Sequence, residues 1–330
     1  MAADWWQAAF PQGRQILTVR DARGAPLRLA YGEKGQGPPL VLVHGIGHWS
    51  YEWRHLIDPL AQHFRVICFD AKGHGFSQKP RDADITHLGT ELCQVVRALC
   101  DEPPTVMAQS LGALAALAAA QAEPALVARM IAINVPVFTQ ALPSWGMQLM
   151  ASLPLPLAEV VDEWRLARPF AAPIRAIVGQ TSREVVADAR SISARDCYWL
   201  TYPYLECPGA ITAFSRILRQ AAREIAGGSA GNLAGAATGR DTYLARLQQN
   251  LDAVRCPTLV LWGERDCWFP VADGEALQAR LPDARLQVLP GCGHDAAGCS
   301  PHRICEAALA FLNETQWPAG RAANLQDSRA

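Results

Sequence analysis

The chain has 330 residues, of which 50% are hydrophobic and 18% are charged. This balance is typical of a globular protein with a sizeable core, and it excludes a disordered or fibrous chain. Lysine and arginine total 30 and aspartate and glutamate total 31, which gives a net charge of −1. Because no run of basic residues is long enough to form a phosphate-binding stripe, we expect no nucleic-acid partner. The length suits either one large domain with an inserted subdomain or two ordinary domains.

The first six residues, Met-Ala-Ala-Asp-Trp-Trp, have neither the basic nor the apolar region of a secretory signal. No segment reaches the roughly 18 uninterrupted apolar residues that are needed to cross a bilayer. We therefore expect a cytoplasmic protein without stable membrane insertion, whose oligomeric state stays open.

The ten cysteines are spread from Cys68 to Cys305 and lack the C-x-x-C spacing of a zinc site. We expect reduced thiols, most of them small core residues, as for Cys68 in an apolar run. Neither a metal ion nor another cofactor is expected.

Two short, partly alternating runs at 15–19 and 27–32 are separated by Asp-Ala-Arg-Gly and predict an antiparallel hairpin. Six later runs are almost continuously apolar, as strands buried on both faces require. These runs cover residues 39–43, 65–69, 104–108, 129–133, 257–262 and 284–289.

Helical patterns lie between the apolar runs, at 53–63, 88–100, 111–122 and 301–311. Alternating strands and helices predict an α/β fold with a mostly parallel central sheet flanked by helices. In such sheets, ligands bind at the carboxyl ends of the strands.

Residues 137–250 interrupt this alternation with helical patterns, many prolines and a Gly/Ala-rich patch at 226–239. We interpret this stretch as a helical cap inserted after the sixth strand, and the patch as a surface loop or a mobile hinge. The core then comprises residues 1–136 and 251–315, and residues 316–330 form a polar tail. A cap above the strand ends would roof a pocket and exclude water from it.

The strongest local signal is Ala-Gln-Ser-Leu-Gly at 108–112, which follows an apolar run and opens an Ala-rich helix. Small residues two before and two after Ser110 suit a strained strand-to-helix turn that exposes the serine hydroxyl. The segment resembles the nucleophile elbow of α/β-hydrolases, with Ala108 in place of the usual glycine. The alternative is a serine that only caps the helix.

A second segment, His-Gly-Ile-Gly-His at 44–48, follows the run 39–43 and resembles the HGxG oxyanion loop of the same family. The resemblance assigns backbone N–H donors to Ile46 and Leu111, aimed at the negative charge that develops in acyl transfer. It also implies that His44 supports the loop rather than reacting. The side chains expected to line the substrate pocket are His48, Trp49 and Gln109.

Three further segments follow predicted strands. Residues 70–77 are similar to the family's D-x-x-G-x-G-x-S turn, a structural element that makes His74 a poor candidate for a base. Gly-Glu-Arg-Asp at 263–266 and Gly-Cys-Gly-His at 291–294 resemble the segments that carry the triad acid and base.

The resemblance thus implies Ser110 as nucleophile, His294 as general base and Asp266 as the acid that orients the histidine. The chain order of serine, aspartate and histidine is the one this fold imposes. The resemblance covers residues 15–136 and 251–313 and does not extend to the predicted cap.

Two other carboxylates compete with Asp266. Glu264 lies inside the strand-end turn, and Asp295 is the sequence neighbour of His294 and cannot easily reach back to its ring. Asn134 follows the run 129–133, where some members of the family carry an alternative acid, and an amide there favours Asp266.

The serine at position 110 distinguishes the chain from haloalkane dehalogenases and epoxide hydrolases, which resemble it but use an aspartate nucleophile. We expect a serine hydrolase for a carboxylic ester, thioester or lactone of a small to medium apolar compound, acting through an acyl-serine intermediate. Alternatives are a C–C bond hydrolase, an acyltransferase, or a ligand receptor that retains the triad. Aromatic side chains in the cap favour an apolar ligand unless they are core residues; they are Trp145, Trp164, Phe170, Tyr198, Trp199, Tyr202, Tyr204 and Phe214.

Overall fold

Eight strands form one sheet in the computed structural model, which describes residues 4–186, 192–229 and 242–314. Each predicted strand is confirmed to within two residues at either end. The strands are β1 (Gln15–Arg20), β2 (Pro26–Lys34), β3 (Pro39–Val43), β4 (Arg65–Phe69), β5 (Thr105–Gln109), β6 (Arg129–Ile133), β7 (Thr258–Gly263) and β8 (Ala284–Leu289).

The strand order is β1-β2-β4-β3-β5-β6-β7-β8. The predicted hairpin pairs β1 with β2, and β2 is also antiparallel to β4. All other neighbours are parallel, with β3 between β4 and β5. The fold is therefore the predicted α/β type with a mostly parallel sheet, and the carboxyl ends of β3, β5, β6, β7 and β8 meet at one edge.

The described helices pack around this sheet and above its edge. They are α1 (Trp5–Ala9), α2 (Ile57–Leu60), α3 (Leu88–Leu99), α4 (Leu111–Ala122), α5 (Trp145–Ser152), α6 (Leu155–Glu163), α7 (Ala171–Val185), α8 (Ala194–Glu206), α9 (Ala210–Ser229), α10 (Tyr243–Gln249), α11 (Val271–Arg280), α12 (Ala296–Cys299) and α13 (Pro301–Asn313).

Three of the four predicted helices are present as α3, α4 and α13. The single helix predicted over 53–63 is wrong, because the structure has a 3₁₀ turn at Ser50–Trp53 followed by the short α2. Pro59 lies inside α2 and has no N–H to donate to the carbonyl group of residue 55, so a continuous α-helix is disfavoured there.

The described part of the stretch interpreted as a cap consists of helices joined by turns and irregular segments. Between β6 and β7, the described residues form α5–α10 and 3₁₀ turns and contain no strand. Residues 226–229 of the Gly/Ala-rich patch end α9, which corrects the prediction of a loop there. The rest of that patch and the polar tail at 316–330 lie outside the described residues.

Both faces of the sheet are buried. In β3, Val41 and Val43 point into one hydrophobic cluster, while Leu40 and Leu42 point into the other. This two-sided burial explains why the strands read as continuous apolar runs. None of the ten cysteines, all of which lie in the described part of the chain, forms a disulfide, and Cys68 is buried.

The N-terminal helix α1 belongs to the core. Trp6 is fully buried, and the Trp5 ring packs against Trp49 and Tyr51 at centroid distances of 5.1 and 5.3 Å. These contacts lie beside the sheet face formed by Leu40 and Leu42. The two tryptophans therefore serve packing rather than a partner or a membrane surface.

Replacing Trp6 by alanine should lower the free energy of unfolding by about 3–5 kcal/mol, because a large buried side chain is removed and a cavity is left. Urea denaturation would measure this loss. Ile16→Ala is the control, since Ile16 is 48% exposed and such a surface change costs about 0.5 kcal/mol or less. A similar small loss for both variants would show that α1 is not part of the core.

Candidate active site

Ser110 occupies a sharp turn between β5 and α4. Its backbone has φ 52° and ψ −119°, a conformation that non-glycine residues rarely adopt. The chain is crowded here, since a Cβ atom on Gly112 would lie 2.4 Å from the carbonyl oxygen of Val43. Ser110 is thus held at the carboxyl edge of the sheet by close backbone packing, and it does not cap α4 with its side chain.

The side chains of Ser110, His294 and Asp266 form a hydrogen-bonded series. His294 Nε2 lies 3.2 Å from Ser110 Oγ, and His294 Nδ1 lies 2.8 Å from Asp266 Oδ2. With Nδ1 donating its proton to the carboxylate, Nε2 is the acceptor for the serine hydroxyl. The three residues come from the loops that follow β5, β8 and β7.

The carboxylate of Asp266 is fully shielded from solvent, and both of its oxygens accept hydrogen bonds. Its Oδ1 accepts the backbone N–H groups of Trp268 and Phe269 at 2.8 and 3.0 Å. The rings of the same two residues pack on the imidazole of His294 at 4.6 and 5.2 Å. The loop after β7 therefore fixes both the acid and the histidine ring.

The competing acids have other partners. Glu264 is exposed and accepts the backbone N–H of Gly291 at 2.7 Å, while Asp295 accepts that of Gly298 at 2.9 Å and caps α12. Asn134 is buried and acts as a brace. Its Oδ1 accepts Gly263 N–H at 2.9 Å and its Nδ2 donates to the carbonyl oxygen of His294 at 2.7 Å.

The loop after β3 lies against Ser110. A Cβ atom on Gly45 would lie 3.3 Å from the Cβ of Ser110. His44 Nε2 accepts the N–H of Ala71 at 2.9 Å, so its Nδ1 carries a proton and donates to the carbonyl oxygen of Gly45 at 2.8 Å. Burial lowers the pKa of His44, which keeps the ring neutral in this supporting position.

Ile46 and Leu111 both border the cavity space beside Ser110. Among the described residues, no hydrogen bond to the backbone N–H of either one is present. The N–H of Leu111 is at the first residue of α4, where helical partners do not exist. Both donors are therefore free to meet a ligand atom near Ser110.

Glu52 is a site residue that the sequence did not indicate. It is 2% exposed, and its carboxyl group accepts the N–H of Gly45 at 2.7 Å and the Nε2 of Gln109 at 2.8 Å. Burial and the nearby Asp295 raise the pKa of Glu52 well above its usual value. A glutamate between two aromatic residues in a 3₁₀ turn carries no local motif, so no sequence signal could have singled it out.

A cavity of about 470 Å³ opens above Ser110 and His294. Of the residues expected to line the pocket, His48 and Gln109 do line this cavity. Burial lowers the pKa of His48 to about 4. Trp49 does not line it, which corrects the prediction. Its indole ring is buried among other aromatic rings and donates Nε1–H to the carbonyl oxygen of Trp199 at 3.0 Å.

The aromatic residues of the predicted cap divide into three groups. Trp145, Tyr204 and Phe214 line the cavity, and the Tyr204 hydroxyl donates to the carbonyl oxygen of Gly47 at 2.7 Å. Trp199 is a core residue, and Tyr198 and Tyr202 pack against it. Trp164 and Phe170 are largely exposed.

The turn after β4 has the structural character predicted for it. Asp70 is buried and accepts the N–H groups of Ser50 and Phe76 at 2.8 and 2.7 Å. His74 packs on His44 at a centroid distance of 5.1 Å, and burial lowers its pKa to about 3. His74 does not line the cavity, and its Nδ1 bonds to the carbonyl oxygen of Lys72 rather than to Ser110.

No three histidine, cysteine, aspartate or glutamate side chains in the described part of the chain cluster as a metal site requires. Within the same residues, no helix is long and apolar enough to span a membrane.

Comparison with known proteins adds the family. Residues 38–297 match the model of the family described as the alpha/beta hydrolase fold. An uncharacterized protein of Mycobacterium tuberculosis is 27% identical over 312 residues, which are 92% of this chain and 86% of that protein. The pimeloyl-acyl-carrier-protein methyl ester esterase of Nitrosomonas europaea is 26% identical over 269 residues, 79% of this chain and 90% of the esterase.

A solved structure described as the epoxide hydrolase CorEH, without ligand, superposes with a TM-score of 0.68. It is 21% identical and covers 91% of this chain and 98% of its own. At this identity the likeness shows a shared fold alone.

Asn134→Asp should lower the free energy of unfolding by about 1–3 kcal/mol, because a carboxylate cannot donate to the carbonyl oxygen of His294. The carbonyl groups of Gly293 and His294 face this position at 3.3 and 2.7 Å from Asn134 Nδ2, and they should raise the native pKa of the new carboxyl group. A raised native pKa makes the loss smaller below that pKa, where the protonated group can donate, and larger above it. Urea denaturation at about pH 5 and about pH 8, with the wild type as control at each pH, would measure this; an equal loss at both pH values would contradict the brace.

Proposed function

Because the chain belongs to the α/β-hydrolase fold family, we propose that it is a serine hydrolase for a carboxylic ester, thioester or lactone of a small to medium apolar compound. The hydrogen-bonded series of Ser110, His294 and Asp266 at the floor of the cavity carries this proposal. Serine alone is a weak nucleophile, and a neutral imidazole within hydrogen-bond distance is what activates it.

In the proposed reaction, His294 Nε2 takes the proton of Ser110 Oγ as the oxygen attacks the substrate carbonyl carbon. Asp266 holds the required imidazole tautomer and stabilises the imidazolium that forms. The backbone N–H groups of Ile46 and Leu111 stabilise the oxyanion, a contribution of about 3 kcal/mol per donor. His294 then protonates the leaving group, and water releases the acyl group from the serine.

The cavity supports an apolar substrate. Its walls include Met147, Leu149, Met150, Ile174 and Phe214, and the polar side chains His48, Glu52 and Gln109 gather near Ser110. A second apolar space of about 60 Å³ adjoins Ser110 beside Leu114 and Trp268. Space on two sides of the nucleophile suits a compound with an acyl part and a leaving part.

Two observations favour ester hydrolysis over epoxide opening. Position 110 holds serine, whereas epoxide hydrolases of this fold use an aspartate nucleophile. In addition, the relative from Nitrosomonas europaea is a methyl ester esterase by name. The alternatives on the same residues are C–C bond hydrolysis, acyl transfer and ligand reception. The series of esters described below separates ester hydrolysis from these alternatives.

A fluorophosphonate probe should label Ser110, and Ser110→Ala should abolish both labelling and hydrolysis of p-nitrophenyl esters of increasing acyl length. Mass spectrometry of the labelled peptide locates the adduct. Ser215→Ala, which removes a buried hydroxyl from α9 outside the cavity, should change neither. Label on another serine would overturn the nucleophile, and labelling without turnover of any ester would indicate one of the alternative functions.

Asp266→Asn should lower kcat by roughly 10⁴-fold with little change in the fold or in substrate binding, because the amide favours the wrong imidazole tautomer. Glu264→Gln is a matched control, two residues away in the same loop, and should cost far less. Steady-state kinetics of both variants on one ester give the comparison. An inactive Glu264→Gln variant together with a near-normal kcat for Asp266→Asn would show that the assigned acid is wrong.

A further inference from the structure

Glu52 lies where three parts of the site meet. Its Oε2 accepts the N–H of Gly45, in the loop after β3, and its Oε1 accepts Nε2 of Gln109, the residue before Ser110. The other end of the Gln109 amide, Oε1, accepts the backbone N–H of Ala297 at 3.2 Å, three residues after His294. One buried chain of hydrogen bonds therefore joins the loop of Ile46, the turn of Ser110 and the segment after His294.

The contact with Gly45 completes the support of the loop. Glu52 holds the peptide group between His44 and Gly45 through its N–H. His44 holds the next peptide group through the carbonyl oxygen of Gly45. Because a trans peptide is planar, the N–H of Ile46 points opposite to that carbonyl group and away from the His44 ring. Both peptide groups that flank Gly45 are thus fixed beside Ser110.

An apolar residue at position 52 could not accept the hydrogen bonds that Glu52 accepts. Gly45 N–H and the Gln109 amide would each lose their acceptor in a buried site, and an unsatisfied buried donor costs stability. Three further titratable or charged groups act on Glu52 or its partners, namely His48, with Nδ1 3.3 Å from Oε1, together with Asp295 and Arg54. Burial and Asp295 both disfavour the ionised carboxylate. A carboxyl group is kept here at an energetic cost, which its two donors offset.

We propose that Glu52 is a positioning residue, which holds the backbone N–H of Ile46 and the Ser110 turn in the relative positions that acyl transfer requires. The inference rests on the function proposed above. It goes beyond stability, because the two groups that Glu52 holds are the oxyanion loop and the residue adjoining the nucleophile. A misplacement of the order of 1 Å in such a site can cost about 100-fold in rate.

The geometry provides a swap experiment. In Glu52→Gln, one amide N–H of the new side chain faces a donor, either Gly45 N–H or the Gln109 amide. In Gln109→Glu, two carboxyl groups face each other. In the double variant Glu52→Gln/Gln109→Glu, every hydrogen bond is regained, because the new amide accepts from Gly45 and donates to the new carboxylate, which accepts from Ala297.

Glu52→Gln and Gln109→Glu should each lower kcat by about 10- to 100-fold. KM for a p-nitrophenyl ester should change less than about threefold, because the apolar walls of the cavity, which supply most of the uniform substrate binding, keep their residues. The rate of fluorophosphonate labelling of Ser110 should fall by the same factor as kcat/KM. The double variant should recover most of the lost kcat. This recovery is a readout that a loss of packing alone would not give.

Glu91→Gln is the matched control. Glu91 is another buried glutamate, paired with Lys72 at 3.2 Å and absent from the cavity lining. It should lower the melting temperature without lowering kcat. Folded Glu52→Gln with normal kcat, or a folded double variant as slow as the single variants, would overturn the positioning role. Failure of the wild type to label at Ser110 would instead overturn the proposed function, so the two failures are distinguishable.

Discussion

The close packing of backbone around Ser110 is the constraint on which the site depends. Ser110 adopts a positive φ, and Gly112 brings α4 so near to β3 that a methyl group would collide with the carbonyl oxygen of Val43. Since β3 and β5 are parallel neighbours, the same approach places the loop after β3 beside the serine. The strain of the turn is sustained by the buried sheet, which leaves the backbone no room to relax.

A second consequence of this packing is that polar groups must be buried with their partners. Glu52, Gln109 and Asn134 are each at most 2% exposed, and each bonds to backbone groups in or next to the loops that carry site residues. Loops have few apolar contacts to hold them, and hydrogen bonds from buried side chains supply the missing constraint. The sheet therefore fixes the residue at which each loop begins, and these three side chains hold the backbone of the loops in place.

The strands, the hairpin and the segments around Ser110, Asp266 and His294 could be predicted because each has a local signal. Continuous apolarity marks a strand covered on both faces, and small residues mark a tight turn. Glu52 has no such signal, since its role arises only when the 3₁₀ turn at Ser50–Trp53 packs on β3 and β4 and its side chain reaches Gln109 at the end of β5. The prediction that Trp49 lines the cavity is wrong for the same reason. The preceding residue, His48, lines the cavity, but the Trp49 ring turns toward Trp5 and Trp199.

The locations of the aromatic side chains between β6 and β7 could not be predicted from the sequence either. An aromatic residue in a helix has the same sequence pattern whether it lines a cavity, fills a core or faces solvent. Tyr204 and Phe214 pack on Gly47, which has no side chain to fill the space that they occupy. Trp164 lies in the turn after α6 and Phe170 in a 3₁₀ turn, and both side chains face solvent. Only the tertiary arrangement of α5–α9 separates these cases.

The same arrangement bears on the chemistry, since hydrolysis of an acyl-serine requires water at the carbonyl carbon whereas acyl transfer requires its exclusion. Trp145, Leu149 and Ile177 line the cavity and are also 57–60% exposed. The cavity thus reaches solvent between α5 and α7. Water that enters there meets His48, Glu52 and Gln109 close to Ser110, where polar groups can hold it. In this conformation α5 and α7 leave the cavity open to water, which the proposed hydrolysis requires and acyl transfer would have to exclude.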